Sequence, residues 1–129
     1  MIVTKRIYFI FLFIGLWCFS AQAQDTLEIA SLKAPDLKKL GNAAIQQGDY
    51  FLASEYFSQF LKFKPNNGKI AYKLATCYRM TRDYVNAQDW YDKAYKFSAN
   101  PLALYYYGLM LKTNGDCDKA KLQFAKFRK

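Results

Sequence analysis

The chain has 129 residues, with 19 lysines and arginines, 10 acidic residues, three cysteines and no histidine. This length is enough for one domain and a short appendage. Because 53% of the residues are hydrophobic, we expect a packed core rather than a disordered chain. Because histidine is the commonest general base and zinc ligand, its absence disfavours hydrolytic triads and histidine metal sites. The formal net charge of +9 raises the question of a nucleic acid or another anionic partner.

The first 23 residues contain the three parts of a secretory signal peptide. Two basic residues precede an apolar run over 7–19, and a small-residue pattern Ala-Gln-Ala ends at Ala23. The run is shorter than the roughly 17–25 apolar residues that span a bilayer, which favours cleavage over a retained anchor. The sequence therefore predicts export to the periplasm or to the periplasmic face of the outer membrane. It makes chromosomal or messenger nucleic acids unexpected partners.

Two cysteines remain after the predicted cleavage, Cys77 and Cys117. An even number permits a disulfide in an exported protein. Each of them falls inside a helical pattern, so two separate, partly buried thiols are the favoured prediction.

Several residue types recur along the rest of the chain with one common spacing. Each series steps by 34 and then by 33 residues. The series are the turns Gly48-Asp49-Tyr50, Arg82-Asp83-Tyr84 and Gly115-Asp116-Cys117, the small residues Gly41, Ala75 and Gly108, the alanines Ala53, Ala87 and Ala120, and the aromatics Phe57, Tyr91 and Phe124. Independent series with one step indicate internal repeats.

Each repeat is predicted to be a pair of antiparallel helices. The Gly-Asp and Arg-Asp segments separate two apolar-periodic stretches and are typical of tight turns, while the small residues let two helices approach closely. Asn100-Pro101 marks a helix start, with Asn as the cap and Pro in the first turn. The predicted helices lie near 36–47, 50–63, 68–80, 84–97, 101–113 and 117–128.

At this level of detail the sequence resembles the tetratricopeptide repeat family. The stretch from Gly48 through Ala53, Phe57 and Leu61 to Pro65 is close to that family's consensus second helix and linker. The resemblance implies an all-α solenoid of three helix-turn-helix repeats. The implied organisation is a signal peptide at 1–23, a lead segment at 24–33 and a repeat domain at 34–129, with repeats at about 34–67, 68–100 and 101–129. Phe60, Phe127 and Ala99 depart from the family pattern.

In this family the first helix of each pair lines a concave groove that binds peptides or partner helices. The resemblance places the following residues in that groove: Lys38, Asn42, Lys69, Tyr72, Lys73, Thr76, Arg79, Tyr105, Tyr106, Leu109 and Lys112. Cations beside tyrosines suit acidic side chains, a terminal carboxylate or phosphate. Lys38 and Asn42 resemble half of the family's carboxylate clamp, but Leu102 and Tyr106 stand where its other basic residues are expected. A solvated cationic face without a ligand is the equal alternative.

The sequence favours a non-catalytic protein. It shows no Cys/His pairing, Gly-rich phosphate loop or metal-ligand spacing, so neither a cofactor nor a metal is expected. Asp89 and Asp92 are expected to form surface ion pairs with Lys93 and Lys96.

The resulting hypothesis is a scaffold for protein–protein interaction in the bacterial cell envelope. The leader and early repeats are similar to the amino-terminal region of Bacteroidetes envelope proteins of the OmpA family, some of which serve type IX secretion. This resemblance implies the front module of a larger outer-membrane or peptidoglycan-associated assembly. Apolar Phe124 and Phe127 in the last helix suggest that a further domain or subunit covers that end. The alternatives are a stand-alone periplasmic peptide-binding or chaperone adaptor and a basic groove that binds an anionic envelope polymer.

Overall fold

The computed structural model describes residues 28–129. The predicted signal peptide and the first four residues of the predicted lead segment lie outside this range, so both the leader and the domain limits stay predictions. Residues 28–32 and residues 33–129 belong to two separate units. In the first unit, residues 28–31 are helical. Over residues 28–129, no helix is both long enough and apolar enough to cross a membrane.

Within Lys33–Lys129 the chain forms six α-helices joined by short turns. They are α1 (Ala34–Gln47), α2 (Tyr50–Phe63), α3 (Gly68–Met80), α4 (Tyr84–Ser98), α5 (Pro101–Thr113) and α6 (Cys117–Phe127). Each observed end lies within two residues of the prediction. Every helix packs against its neighbours in the chain, so the predicted helix pairs are confirmed.

The turns inside the three pairs share one backbone conformation. In each turn, the residue that precedes the recurring aspartate has a positive φ. This angle is 79° at Gly48, 64° at Arg82 and 92° at Gly115. Glycine adopts this left-handed region freely, whereas a residue with a Cβ loses roughly 1 kcal/mol there. The middle turn is therefore the strained one.

In each pair, an aspartate side chain caps the amino-terminal end of the second helix. The carboxylate of Asp49 accepts a hydrogen bond from the Leu52 amide at 3.0 Å, and Asp83 and Asp116 cap α4 and α6 in the same way. Asn67 and Asn100 cap α3 and α5. Such a cap satisfies an amide that has no partner inside the helix and is worth roughly 1 kcal/mol.

Small residues allow close contact within each pair, as predicted. A Cβ added to Gly41 would lie 2.6 Å from Cε1 of Phe57, and one added to Gly108 would lie 3.0 Å from Cε1 of Phe124. Ala75 occupies the same register in the middle pair and is fully buried. Within each pair, these contacts hold the aromatic ring of the second helix against the first helix of the same pair.

The two cysteines described by the structure are free and separate. The prediction that both are partly buried is wrong, because Cys77 is buried on the inner side of α3 and Cys117 is exposed at the first position of α6. Burial raises the pKa of the Cys77 thiol to about 11. The thiolate of Cys77 is therefore scarce at neutral pH.

The expected ion pairs on α4 form only in part. Lys96 contacts Asp92 at 2.6 Å. Lys93 instead lies over the ring of Trp90, with Nζ 4.1 Å from the centroid. The half-buried Trp90 ring also packs against the core around Ala75, Ala87 and Tyr91, so it serves packing.

Candidate functional site

The predicted groove residues lie on α1, α3 and α5, the first helices of the three pairs. We call their side chains the first-helix face. The structure brings some of them together around one buried tyrosine, Tyr91 of α4, and leaves others apart.

The hydroxyl of Tyr91 is the polar centre of this site. The Tyr91 side chain is fully buried, and its hydroxyl lies 3.1 Å from Oγ1 of Thr76. The Nε–H group of Arg79 donates a hydrogen bond to the same oxygen at 3.2 Å. Since a buried hydroxyl without a partner is unfavourable, these two bonds both satisfy Tyr91 and orient the guanidinium of Arg79.

Two further tyrosine rings pack against Tyr91 and against each other. Tyr106 of α5 stacks on Tyr91, with ring centroids 5.3 Å apart and an interplanar angle of 19°. Tyr72 of α3 meets Tyr91 edge-on at 5.5 Å and Tyr106 edge-on at 6.3 Å. The guanidinium carbon of Arg79 lies 4.9 Å from the centroid of Tyr106, a cation–π geometry. We call Tyr72, Thr76, Arg79, Tyr91 and Tyr106 the Arg79 cluster.

Arg79 is the charged residue of the Arg79 cluster, because the tyrosines Tyr72 and Tyr91 stay neutral. Burial raises the pKa of Tyr91 above its usual value of 10.0, although hydrogen bonding with Thr76 and with Arg79 lowers it. Burial also raises the pKa of Tyr72, and the neighbouring tyrosines Tyr91 and Tyr106 add to this effect. The two tyrosines are therefore neutral at physiological pH, and Arg79 carries a positive charge that no acid of the cluster neutralises.

The guanidinium of Arg79 is held in place through its Nε–H group. Nε is engaged with Tyr91, and the side chain is half-buried rather than enclosed. The end of the guanidinium that bears the two amino groups is the part that binds a carboxylate with two parallel hydrogen bonds. A fixed guanidinium loses little conformational entropy when it binds.

A second contact on the first-helix face connects α1 to α3. The ammonium group of Lys73 donates a hydrogen bond to Oδ1 of Asn42, and its Nζ lies 6.0 Å from the centroid of the Phe57 ring. Asn42 was predicted to share half of a carboxylate clamp with Lys38. In the structure its acceptor oxygen is engaged by Lys73, and Lys38 is exposed.

The remaining predicted residues lie outside these two groups. Lys38, Lys69 and Lys112 are exposed, and half-buried Leu109 packs against the core cluster that contains Tyr91. Tyr105 makes an edge contact with Tyr106 but also meets the rings of Phe124 and Phe127 at 5.8 and 5.4 Å. Tyr105 therefore joins the first-helix face to the outer side of α6.

The sequence marks Tyr91 only as one of three recurring aromatics, so its polar role was missed. The signal was present in the sequence. The first and third repeats carry phenylalanine in this register, Phe57 and Phe124, whereas the middle repeat carries a tyrosine. A hydroxyl added at a buried position needs a hydrogen-bond partner, and Thr76 and Arg79 supply it.

No group of three or more acidic, cysteine or histidine side chains that could hold a metal ion occurs among residues 28–129. Recognition by charge and ring contacts is the chemistry that the first-helix face offers.

Solved structures that share this architecture include the following two. No protein-family model and no curated protein matches the chain. A chain of the CopN–Scc3 complex matches with a TM-score of 0.69 and 19% identity over 73% of this chain and 56% of that one. The crystal structure of MamA matches with a TM-score of 0.69 and 24% identity over 74% of this chain and 56% of that one. This chain has a tetratricopeptide-type fold.

The sequence prediction of an all-α tetratricopeptide-type solenoid is thereby confirmed. The chain matches little more than half the length of either structure. A likeness at this level of identity establishes the fold alone. The resemblance to OmpA-family envelope proteins stays a prediction.

Proposed function

We propose that this chain is a non-catalytic scaffold that binds an acidic segment of a protein partner on its first-helix face. The observation that carries the proposal is the guanidinium of Arg79, held at 3.2 Å by the buried hydroxyl of Tyr91 and lying 4.9 Å from the ring of Tyr106. One of the two similar solved structures is itself part of a complex between two proteins. This fact supports a protein partner.

The preferred ligand group is a carboxylate, either of an acidic side chain or of a chain terminus. It would accept hydrogen bonds from the terminal amino groups of Arg79, while the edges of Tyr72 and Tyr106 offer apolar contact to the neighbouring part of the ligand. The exposed lysines Lys69 and Lys112 lie on the same helices, α3 and α5. They add a favourable field at longer range, which increases the association rate more than the affinity.

The setting that we propose is the bacterial cell envelope. The support for it is the leader pattern of basic residues, apolar run and Ala-Gln-Ala over residues 1–23. In the periplasm or at the outer membrane the chain would act as the front module of a larger assembly, and the acidic segment would belong to another component of that assembly.

The proposal is tested with a short, proline-containing acidic peptide, which cannot form a helix, and with its uncharged amide counterpart. The full chain is titrated into each labelled peptide and fluorescence anisotropy is recorded. The acidic peptide should bind at least about tenfold more tightly than the amide counterpart, as expected when a charged hydrogen-bond partner is removed. Equal binding of the two peptides would show that carboxylate recognition is absent.

Two matched charge reversals locate the binding surface. Lys69→Glu on α3 should weaken the acidic peptide several-fold through its slower association. Lys62→Glu, an equally exposed change on α2, should leave binding unchanged. An equal effect of the two variants would indicate general attraction to a cationic protein. Binding of an anionic polysaccharide that falls steeply with salt and exceeds that of the peptide would favour the envelope-polymer alternative.

A further inference from the structure

The two ends of the helices differ in charge. Because short turns join the helices, successive helices run in opposite directions, and the turns within the pairs lie at one end while the linkers between the pairs lie at the other. We call the residues around the turns, 46–52, 80–86 and 113–119, the turn edge. The residues around the linkers, 62–69 and 96–102, are called the linker edge. Helices of 13–15 residues separate the two edges by about 20 Å.

The linker edge is cationic. Residues 62–69 and 96–102 contain no acid, and their cations are the exposed side chains of Lys62, Lys64, Lys69 and Lys96. Lys96 pairs with Asp92 at 2.6 Å, whereas the other three form no ion pair within residues 28–129. At the same end of the molecule, Asp36 in the first turn of α1 is balanced by Lys33 just before that helix.

The turn edge is acidic because aspartates cap the second helices. Asp49, Asp83 and Asp116 all lie there. Charge interactions in solution decay over about 8 Å at physiological ionic strength. Aspartates about 20 Å away therefore do not neutralise the lysines of the linker edge.

Exposed phenylalanines lie among the lysines of the linker edge. Phe63 and Phe97 are 34 residues apart, near the ends of α2 and α4, and each directly follows a lysine. They are 54% and 40% exposed, and Leu102 in the first turn of α5 is 53% exposed. The following helices α3 and α5 are present and pack against α2 and α4. The exposure of these side chains therefore does not come from a missing neighbour in the helix stack.

The turn edge exposes apolar side chains as well. Phe51 is 69% and Val85 is 66% exposed, and each lies two residues after a capping aspartate. Apolar exposure is thus common to both edges, and the charge beside it distinguishes them. An anionic surface attracts the linker edge and repels the turn edge.

We propose that the linker edge binds the chain to a membrane surface that contains anionic lipids. Phe63 and Phe97 enter the boundary between headgroups and acyl chains, and the ammonium groups of Lys62 and Lys64 stay at the level of the lipid phosphates. Equivalent positions at one end of two stacked helix pairs suit a flat partner, since both rings meet it together. A hydrated anionic polymer offers no apolar layer in which these rings leave water.

This membrane contact and the acidic segment proposed for the Arg79 cluster use different surfaces and different partners. Lys62→Glu separates them, because it should weaken membrane binding and leave the acidic peptide unaffected. Either proposal can fail alone.

The test compares lipid compositions with the wild-type protein. It uses the chain from residue 24 onwards, because the apolar run over 7–19 would itself favour a lipid environment; this chain keeps all of residues 33–129, which form a unit of their own. The protein is sedimented with vesicles of equal parts phosphatidylglycerol and phosphatidylcholine and with vesicles of phosphatidylcholine alone. Binding to the anionic vesicles should be at least about tenfold stronger. Equal binding to both vesicles, or binding to neither, overturns the proposal.

Matched charge reversals locate the contact. Lys62→Glu/Lys64→Glu should weaken binding to the anionic vesicles at least about tenfold. Arg82→Glu/Lys121→Glu changes the net charge equally, but it does so in the turn of the middle pair and in the second turn of α6, and it should leave most of the binding intact. An equal loss in the two double variants would indicate attraction of the net charge alone and would overturn the proposal.

Matched apolar truncations test the insertion of the rings. Phe63→Ala/Phe97→Ala should weaken binding to the anionic vesicles about tenfold, whereas Phe51→Ala/Val85→Ala at the turn edge should leave it unchanged. All of these side chains are exposed, so the variants should keep the wild-type helix content, which circular dichroism checks. Unchanged binding of Phe63→Ala/Phe97→Ala overturns the proposal. Binding of a soluble anionic polysaccharide by a chain that does not bind the anionic vesicles would also overturn it, since the partner would then be a polymer.

Discussion

A methyl group added at Gly41 tests the packing that holds the first helix pair together. In Gly41→Ala the new Cβ would lie 2.6, 2.8 and 2.9 Å from three carbon atoms of the Phe57 ring. Real Cβ atoms do not approach this closely, so the ring or the helix must move. Phe57 is fully buried, and therefore the ring has little room to move.

The magnitude follows from two opposing effects. Overpacking of a buried site destabilises by about 1–3 kcal/mol, while alanine in a helix interior is more favourable than glycine by about 1 kcal/mol. The net expectation is a loss of roughly 1 kcal/mol in the free energy of unfolding. Gly108→Ala is the matched control, because its Cβ would lie 3.0 Å from the nearest atom of Phe124. Phe124 is only half-buried, so its ring can shift, and this variant should be neutral or more stable than the wild type.

The assay is urea unfolding of the full chain followed by circular dichroism. The urea midpoints of both variants are compared with that of the wild type. An unchanged m-value shows that a shift in midpoint reports a change in stability. Unfolding of Gly41→Ala at the wild-type urea concentration would contradict a clash with Phe57. Equal midpoint shifts of the two variants in the same direction would contradict it as well.

Three further predictions concern the turn, the buried tyrosine and the thiols. Arg82→Gly should stabilise the chain by about 0.5–1 kcal/mol because φ is 64° there; urea unfolding measures this, and a loss of stability would contradict it. Tyr91→Phe should lower stability by about 1–2 kcal/mol at neutral pH. The pKa of Tyr91 is raised above 10.0 on folding, so its contribution is complete below that pH and decreases as pH rises through the folded-state value. The free energy of unfolding of the wild type should therefore fall more steeply with rising alkaline pH than that of Tyr91→Phe. Parallel curves of this free energy against pH would contradict the prediction. In the chain from residue 24 onwards, which lacks Cys18, Cys117 should react quickly with a thiol reagent and buried Cys77 only on unfolding. Cys117→Ser must remove the fast phase.

Local signals made much of the fold predictable from the sequence. Gly48 and Asp49 specify a turn and a cap within a few residues, and the same chemistry recurs at Gly115 and Asp116. The common spacing of small and aromatic residues then fixed how the helices pair. Because these signals act over short distances, the observed helix ends agree closely with the prediction.

The candidate site was only partly predictable, because its contacts join residues that are distant in the sequence. A spacing pattern placed Asn42 and Lys73 on first helices but did not show that they bond to each other. Tyr105 and Tyr106 are adjacent, yet one lies towards Phe127 of α6 and the other stacks on Tyr91 of α4. Such choices depend on side-chain directions at the junctions between pairs.

NMR of the Arg79 side chain during titration with the acidic, proline-containing peptide reports directly on carboxylate binding at the Arg79 cluster. The Nε–H group of Arg79, bonded to Tyr91 at 3.2 Å, provides a signal inside the candidate site. This signal and the ring signals of Tyr106 should shift on addition of the acidic peptide and remain unchanged with the amide counterpart. Binding of the acidic peptide that leaves both signals unshifted would contradict carboxylate recognition by the Arg79 cluster.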